Sequence, residues 1–442
     1  MNTAFLVIAA ILVPAQIFLP RRYAFAPLLI SACHVGTIEF LGDLSLPRLL
    51  VLVGLGRAVM TGNFRFSFSN VIDRCFVAFA LAAMLTAGAH DTDYNFHVSN
   101  LGLILNVCGS YLYGRAYLEG AGWWRDLACV SVIVALPLAI LMTYEVASGE
   151  NPYSVLGITS GGVSIRDGEI RARGPFRHAI LAGTAGAVLL PLCMILWRDK
   201  RVLAMVGIAA SLTVVFTSTS SGPIAAALAA GGLVWCWRKR AHIPKLKWAV
   251  PLCIIALSLY MNRPFYYIID SIDFTGGSTG WHRARLIEMG IEHLDEWWLA
   301  GTDHTRHWMP TGVTWNPDHT DITNYYLHLG VIGGLPLMLS LVAMVWFSFR
   351  SLSRFIRLDR GILGPEDFAL WCLGCSLAAH ALSFISISYF DQMYVFFYLL
   401  IGGIGGLAGI RELRDGLEEG LDEDFARDPV ANPTGGGREG MV

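Results

Sequence analysis

Apolar runs of close to twenty residues recur from one end of this 442-residue chain to the other. Few folds accommodate that pattern. A helix of about 20 apolar residues crosses a hydrocarbon layer of roughly 30 Å, and inside such a layer the backbone must satisfy its own hydrogen bonds. Only 15% of the residues are charged and 55% are hydrophobic, whereas soluble domains carry about 25% charge. Mean hydropathy is +0.53. The expected fold is all-α: a polytopic membrane protein.

The expected spans are 3–20, 24–40, 43–59, 71–89, 98–117, 127–145, 178–197, 202–217, 222–237, 247–261, 329–349, 368–388 and 391–410. Pro14, Pro20 and Pro47, with short gaps between runs, allow the first three to merge or re-enter. The expectation is therefore 12 or 13 transmembrane helices in a domain of residues 1–410. Residues 1–20 lack a basic n-region and a small-residue cleavage site, so they read as a first span and not as a cleaved signal. Basic turns at Arg198, Lys200 and Arg201, at Arg238, Lys239, Arg240, Lys245 and Lys247, and at Arg350, Arg354, Arg357 and Arg360 orient the set, because such clusters stay cytoplasmic. Two long outer-side loops follow, 146–177 and 262–328. Residues 411–442 form a cytoplasmic tail with the composition of a disordered segment.

Cysteine chemistry adds little. Nine cysteines lie almost wholly in apolar runs, and Cys372 and Cys375 have CxxC spacing without a second pair, which predicts neither a metal nor a redox site. No cofactor and no nucleic-acid partner is expected.

Function concentrates in the two loops, since connections this long are usually functional or disordered. The second holds six of the twelve histidines, His282, His293, His304, His307, His319 and His328, and five of the thirteen tryptophans, Trp281, Trp297, Trp298, Trp308 and Trp315. Disordered segments are poor in aromatics, so this one is expected to fold against the membrane or the other loop. Residues 281–298 read as a helix: Trp281, Arg285, Glu288 and Glu292 recur at near-helical spacing, and Leu286, Met289, His293 and Trp297 supply an apolar-to-aromatic face. Interfacial tryptophans also serve simply as anchors.

The first loop closes with Arg171-Ala-Arg173-Gly-Pro-Phe-Arg177-His178. Three guanidinium groups on a side where positive charge is disfavoured suit phosphate oxygens, either of lipid headgroups or of a phosphorylated lipid substrate. Arg283 and Arg285 open the helical stretch of the second loop, and the two groups together are placed to clamp a diphosphate. Fixed cations there favour a transition state in which the leaving diphosphate gains charge. Among the histidines, His319 lies between Asp318 and Asp321. A neutral imidazole accepts a proton and a carboxylate orients the ring. His304 and His307 match no HExxH or carboxylate–histidine pattern, so no metal is expected. Tyr325, Tyr326 and Trp315 are candidates for stacking on sugar rings. Within the spans, His34 and Glu39 are candidates for lining a polar cavity.

On these residues the chain resembles the bacterial O-antigen ligase and polymerase superfamily, multispanning inner-membrane glycosyltransferases that use polyprenyl-diphosphate-linked glycans. The segment RARGPFRHAILAG resembles the family's Arg-x-x-Gly-(Pro/Thr)-Phe-x-His motif. FTSTSSGPIAAALAA, residues 216–230, resembles its Ser-Arg-Gly span. GWHRARLIEMGIEHLDEWWLAG followed by TNYYLHLGVIGGLPL resembles its long outer loop and following helix. The likeness covers residues 165–350 closely and the rest by topology. It implies that Arg171 and Arg283 contact the diphosphate and that a histidine base activates the acceptor hydroxyl without metal; the reading of the residues adds Arg173 and Arg177 to the diphosphate set and His178, Asn324, Tyr326 and His328 to the substrate site. The resemblance also implies a periplasmic active face, a glycan or lipid acceptor, contact with membrane lipids, and a chain-length regulator as assembly partner. Two departures stand out. The arginine of Ser-Arg-Gly falls on Ser221, and the histidine of the family's His-Asn falls on Thr323. His319, His328 or another base must then act. His319 with Asp321 is favoured here, because four residues along a helix keep one face.

The leading expectation is a glycan polymerase that joins lipid-linked repeats and releases polyprenyl diphosphate with inversion. A ligase would transfer the glycan to a lipid or protein acceptor instead. A lipid-glycan transporter would thread polar residues through mid-span. A partner-binding protein would tolerate loss of Arg171 and Arg283.

Overall fold

The computed structural model describes residues 3–36, 39–41, 44–62, 64, 70–87, 102–120, 122–159, 162–272, 274, 280–314, 316–356 and 365–409. Trp315, Arg357, Arg360 and the tail 411–442 lie outside the described residues, as does the side chain of Glu39.

Helices stand where the apolar runs predict them. They are α1 (Thr3–Phe18), α2 (Ala26–His34), α3 (Leu46–Met60), α4 (Val71–Ala87), α5 (Ser110–Tyr117), α6 (Trp123–Ser148), α7 (Ala179–Met194), α8 (Arg201–Thr217), α9 (Ser221–Trp235) and α10 (Ile243–Tyr260). After the second long connection come α13 (Tyr325–Phe355), α14 (Pro365–Ser386) and α15 (Met393–Gly409). The chain is a helical multi-pass membrane protein. Among the described residues, strands are confined to short antiparallel hairpins: β1 (Glu39–Leu41) with β2 (Leu44–Ser45), β3 (Ser164–Arg166) with β4 (Glu169–Arg171), and β5 (Gly312–Val313) with β6 (Asn316–Thr320).

The helices differ in reach. Among the described residues four are long and apolar enough to cross a membrane: Trp123–Ser148, Ala179–Trp197, Tyr325–Phe355 and Pro365–Ser386. A fifth is reached if Leu252–Tyr260 and Phe265–Ser271, bent by 78°, form one broken span. The remaining expected spans are matched by shorter helices, among them α1, α3 and α4 with 16, 15 and 17 residues. The run at 24–40 departs most from expectation. Its helix α2 has nine residues, which at 1.5 Å per residue reach about 14 Å. It stops because Gly36 takes φ +65°, where its missing Cβ lets the carbonyl of Pro175 approach.

Small residues set the packing. Helix α7 touches α6, α8, α9 and α14 and is the most enclosed of the long helices. Gly183 lies against Ser218 and Pro223, and Gly186 against the Ser211 carbonyl; a side chain at either would collide. Close approach through glycine and alanine is how helices associate where the surroundings are as apolar as the core. The outward side of α6 carries Ile133, Leu136, Ile140 and Tyr144, all exposed. An exposed apolar stripe of this kind belongs in lipid.

The second long connection folds, as its aromatic content predicts. It contains α11 (Gly280–Glu292), a break at His293, then α12 (Leu294–Trp297) and the hairpin β5–β6. Its core joins Leu286, Met289, Trp297, Trp308, Met309, Leu327 and Val331. Helix α13 opens to receive it. Gly333 and Gly334 leave helical geometry, the latter at φ +70°. Leu335 then donates to the Trp298 carbonyl at 2.8 Å, and Thr302 donates to that of Val331 at 2.8 Å. Gly330 takes the Trp297 ring against its bare Cα. The stretch from Trp297 to Pro336 is therefore one folded unit.

Candidate anion-binding site between the two long connections

The turn at Arg173-Gly174 is held from below by Glu145, a fully buried carboxylate near the end of α6. Its oxygens accept from the backbone N–H of Arg173 at 3.2 Å and of Gly174 at 2.8 Å. They also accept from Asn151 Nδ2 at 3.3 Å, which donates in turn to the Gly174 carbonyl at 2.8 Å. Gly174 has φ +54°, a conformation that favours glycine. Nothing in the apolar text of α6 assigned a role to Glu145. Its one available signal was a carboxylate ending an apolar run.

This scaffold sends the arginines in different directions. Arg171 leans on the turn before α9: its Nη2 donates to Ser220 Oγ at 2.6 Å and its Nε to the Ser218 carbonyl at 3.4 Å. Arg173 donates to the Gly162 carbonyl at 2.9 Å, and Arg177 is exposed. From the second connection, Arg283 reaches to the end of α14, where its Nε donates to the Ser386 carbonyl at 3.0 Å. Ser386 is pressed against Gly222 in the first turn of α9. Arg171 and Arg283 thus flank one helix N-terminus, and Arg166 of β3 adds a third positive charge. Helix N-termini favour anions through their free N–H groups and dipole.

Electrostatics confirm the crowding. Burial, then the charges of Arg166 and Arg171, push the Arg283 guanidinium down to about 10. Burial and Arg166 also lower that of Arg171. Both remain cationic at neutral pH. Among the described residues no carboxylate pairs with Arg171 or Arg283. Thr219, in the same turn, has φ +45°. A β-branched residue in the left-handed region is strained, and strain of this kind collects at sites that over-determine the backbone.

Arg285 is not part of the cluster. It pairs with Glu288, which also accepts from Tyr267 Oη at 2.7 Å. Two positions along a helix place side chains on nearly opposite faces, so Arg283 turns inward and Arg285 turns to an open groove lined by Arg263, Tyr267 and Trp281.

Asp321 brings two histidines into the same region. Burial lowers the pKa of His282, with Asp321 its strongest charged neighbour, raising it, and Arg283 opposing. Burial and Arg177 lower His178, and Asp321 works against them. The His178 ring packs edge-on against Phe390. In both imidazoles the net shift is toward the neutral form, which accepts a proton. The proximity of His282 to Asp321 was not read from the sequence, because the two lie 39 positions apart and no short motif links them.

The preference for His319 rested on a helix that does not form. Residues 316–320 are strand β6, and α13 begins only at Tyr325. In extended chain four residues cover about 13 Å, so His319 does not stand in for position 323. Its Nδ1 lies 3.3 Å from Thr305 Oγ1, and its charge is felt by His328. Asn324 caps α13, its Oδ1 accepting from Leu327 N–H at 3.1 Å. Tyr326 donates to the Ala381 carbonyl, and His328 stacks with Tyr325. His34 is bonded on both ring nitrogens, to Tyr153 Oη and the Val134 carbonyl. The structure therefore gathers Arg171, Arg283, His178 and Asp321, adds Arg166 and His282, and leaves Asn324 and Tyr326 in structural bonds.

No family model matches the chain, and no curated protein matches it.

Proposed function

We propose that this multi-pass protein is a glycosyltransferase of the O-antigen polymerase and ligase kind, which joins polyprenyl-diphosphate-linked oligosaccharide repeats. One observation carries the reading. Arg171 and Arg283, from two different connections, meet at the N-terminus of α9 without a carboxylate partner among the described residues. A cluster of buried like charges is unfavourable unless an anion completes it. A diphosphate fits that need, and its bridging position between two guanidinium groups matches their donor geometry.

In this mechanism the acceptor hydroxyl attacks the anomeric carbon of the donor glycan. The bond from that carbon to the diphosphate oxygen breaks, and polyprenyl diphosphate leaves with the electron pair. Arg171 and Arg283 stabilise the added charge. The hydroxyl proton passes to a histidine. We assign that base to His282, for which Asp321 is the leading charged neighbour; His178 feels the same carboxylate. Direct displacement inverts the anomeric centre. The donor enters from a bacterial inner membrane, the site faces the periplasm, and a chain-length regulator is the fitting partner.

The test is the size profile of lipid-linked and surface glycans in a strain lacking the gene, complemented with Arg171→Ala plus Arg283→Ala. Loss of long chains with accumulation of single lipid-linked repeats supports polymerisation. Accumulated long lipid-linked chains without surface attachment would make the protein a ligase. An unchanged profile at normal protein level sinks both readings.

A further inference from the structure

Apart from the arginine cluster, the break between α11 and α12 brings together His293, Glu296 and His307, whose ligand atoms all lie within 4.8 Å of one another. His307 Nε2 stands 3.0 Å from Glu296 Oε1. Each group is oriented by a neighbour. His293 Nδ1 is 3.0 Å from the Met289 carbonyl, which fixes the proton on that nitrogen and leaves Nε2 with its lone pair outward. Trp308 Nε1 donates to Glu296 Oε2 at 3.1 Å, leaving Oε1 toward the histidines. Trp308 is buried and stacks on the His293 ring, so the indole holds both partners.

We propose that His293, Glu296 and His307 form a binding site for a divalent transition metal of the zinc class. Two imidazoles and one carboxylate are a usual zinc donor set, leaving a fourth position for water. Bonds of about 2.0–2.2 Å place neighbouring ligands roughly 3.3 Å apart, so closure on an ion needs side-chain shifts of about an ångström. The bonds to the Met289 carbonyl and from Trp308 are the outer contacts that metal-binding histidines and carboxylates generally require. Magnesium is the wrong size and hardness for this set.

The site has a structural consequence. The ion would tie α12 to the turn at Arg306–Trp308. That turn joins β6 through Thr305, whose N–H donates to the Asp318 carbonyl at 2.9 Å and whose Oγ1 accepts from Thr320 N–H at 3.1 Å. The metal would thus act as a clip on the strand that leads to Asp321, away from the bond-breaking atoms. This inference does not depend on the proposed reaction.

The full chain, purified in detergent without a histidine tag and stripped by chelator, would be titrated with zinc chloride by calorimetry and elemental analysis. About one zinc per chain is expected, with no magnesium uptake. The His293→Ala plus His307→Ala variant should lose that equivalent, and Glu296→Gln should weaken it about tenfold or more. His304→Ala, a neighbour outside the trio, should bind as the parent does and serves as the folding control. Absence of binding in the parent, or an unchanged equivalent in the double variant, would overturn the proposal.

Discussion

Two half-buried arginines in this protein live in opposite surroundings. Arg115 of α5 meets Asp73 of α4 through both Nε and Nη2 at 3.1 Å, and Asp73 also accepts from Asn70 and Tyr111. That network is closed, with a countercharge and full hydrogen bonding. Arg283 has the same charge, but its hydrogen-bond acceptor is the Ser386 carbonyl and its charged neighbours are Arg166 and Arg171. The first arrangement holds helices together. The second has no carboxylate partner among the described residues, and on the proposed function a bound anion would complete it. The contrast is sharper than burial alone would make it.

Mutation of each region should break a different property. The largest effect is expected for Arg171→Ala with Arg283→Ala, which should lower glycan output by about 10³-fold or more while protein level and melting temperature hold or rise. Asp73→Ala should do the reverse, costing about 3–5 kcal/mol by stranding Arg115, read as lost yield and a lower melting temperature in detergent. If the two swap behaviours, the distinction is wrong. His282→Ala comes next, at about 10²-fold or more in rate, with His319→Ala nearer the parent. Smaller still is Asn324→Ala, which removes a cap worth about 1 kcal/mol and should affect stability alone.

The pH profile sharpens the same comparison. His282 and His178 have pKa values lowered from 6.5. A base must be neutral, so the rate should stay level through pH 6.5 and fall only below it, on the side where the imidazoles gain protons. A fall that begins above pH 6.5 would point to another base. Arginine titration does not enter this window, since even Arg283 loses its proton only near 10.

The sequence revealed the architecture through periodicity that needs no tertiary information. Apolar runs locate the helices of the expected spans, near-helical spacing locates α11, and the aromatic second connection could be read as folded. Reach was harder to read: the 24–40 run yields nine helical residues because Gly36 turns against Pro175, a contact 139 positions distant. The arginines of the site were legible as residues that had no local reason to be there. Which of them converge was not, because Arg283 and Arg285 differ only by the face of α11 they occupy. The helical argument for His319 failed for a related reason. Helical spacing was applied to His319 in a segment where Gly312–Val313 pairs with it as a strand. Local rules of spacing hold only within the element that supplies them.

The opened turn of α13 has a mechanical meaning. With Trp298 and Thr302 bonded to the backbone at Leu335 and Val331, the second connection is fastened about two to three turns into a membrane helix and not only to its end. A loop hinged at its ends swings freely; one bolted to a girder keeps its heading. The placement of Arg283 and Asp321 is then inherited from the tilt of α13, and in the proposed reaction a donor phosphate would meet them at one depth.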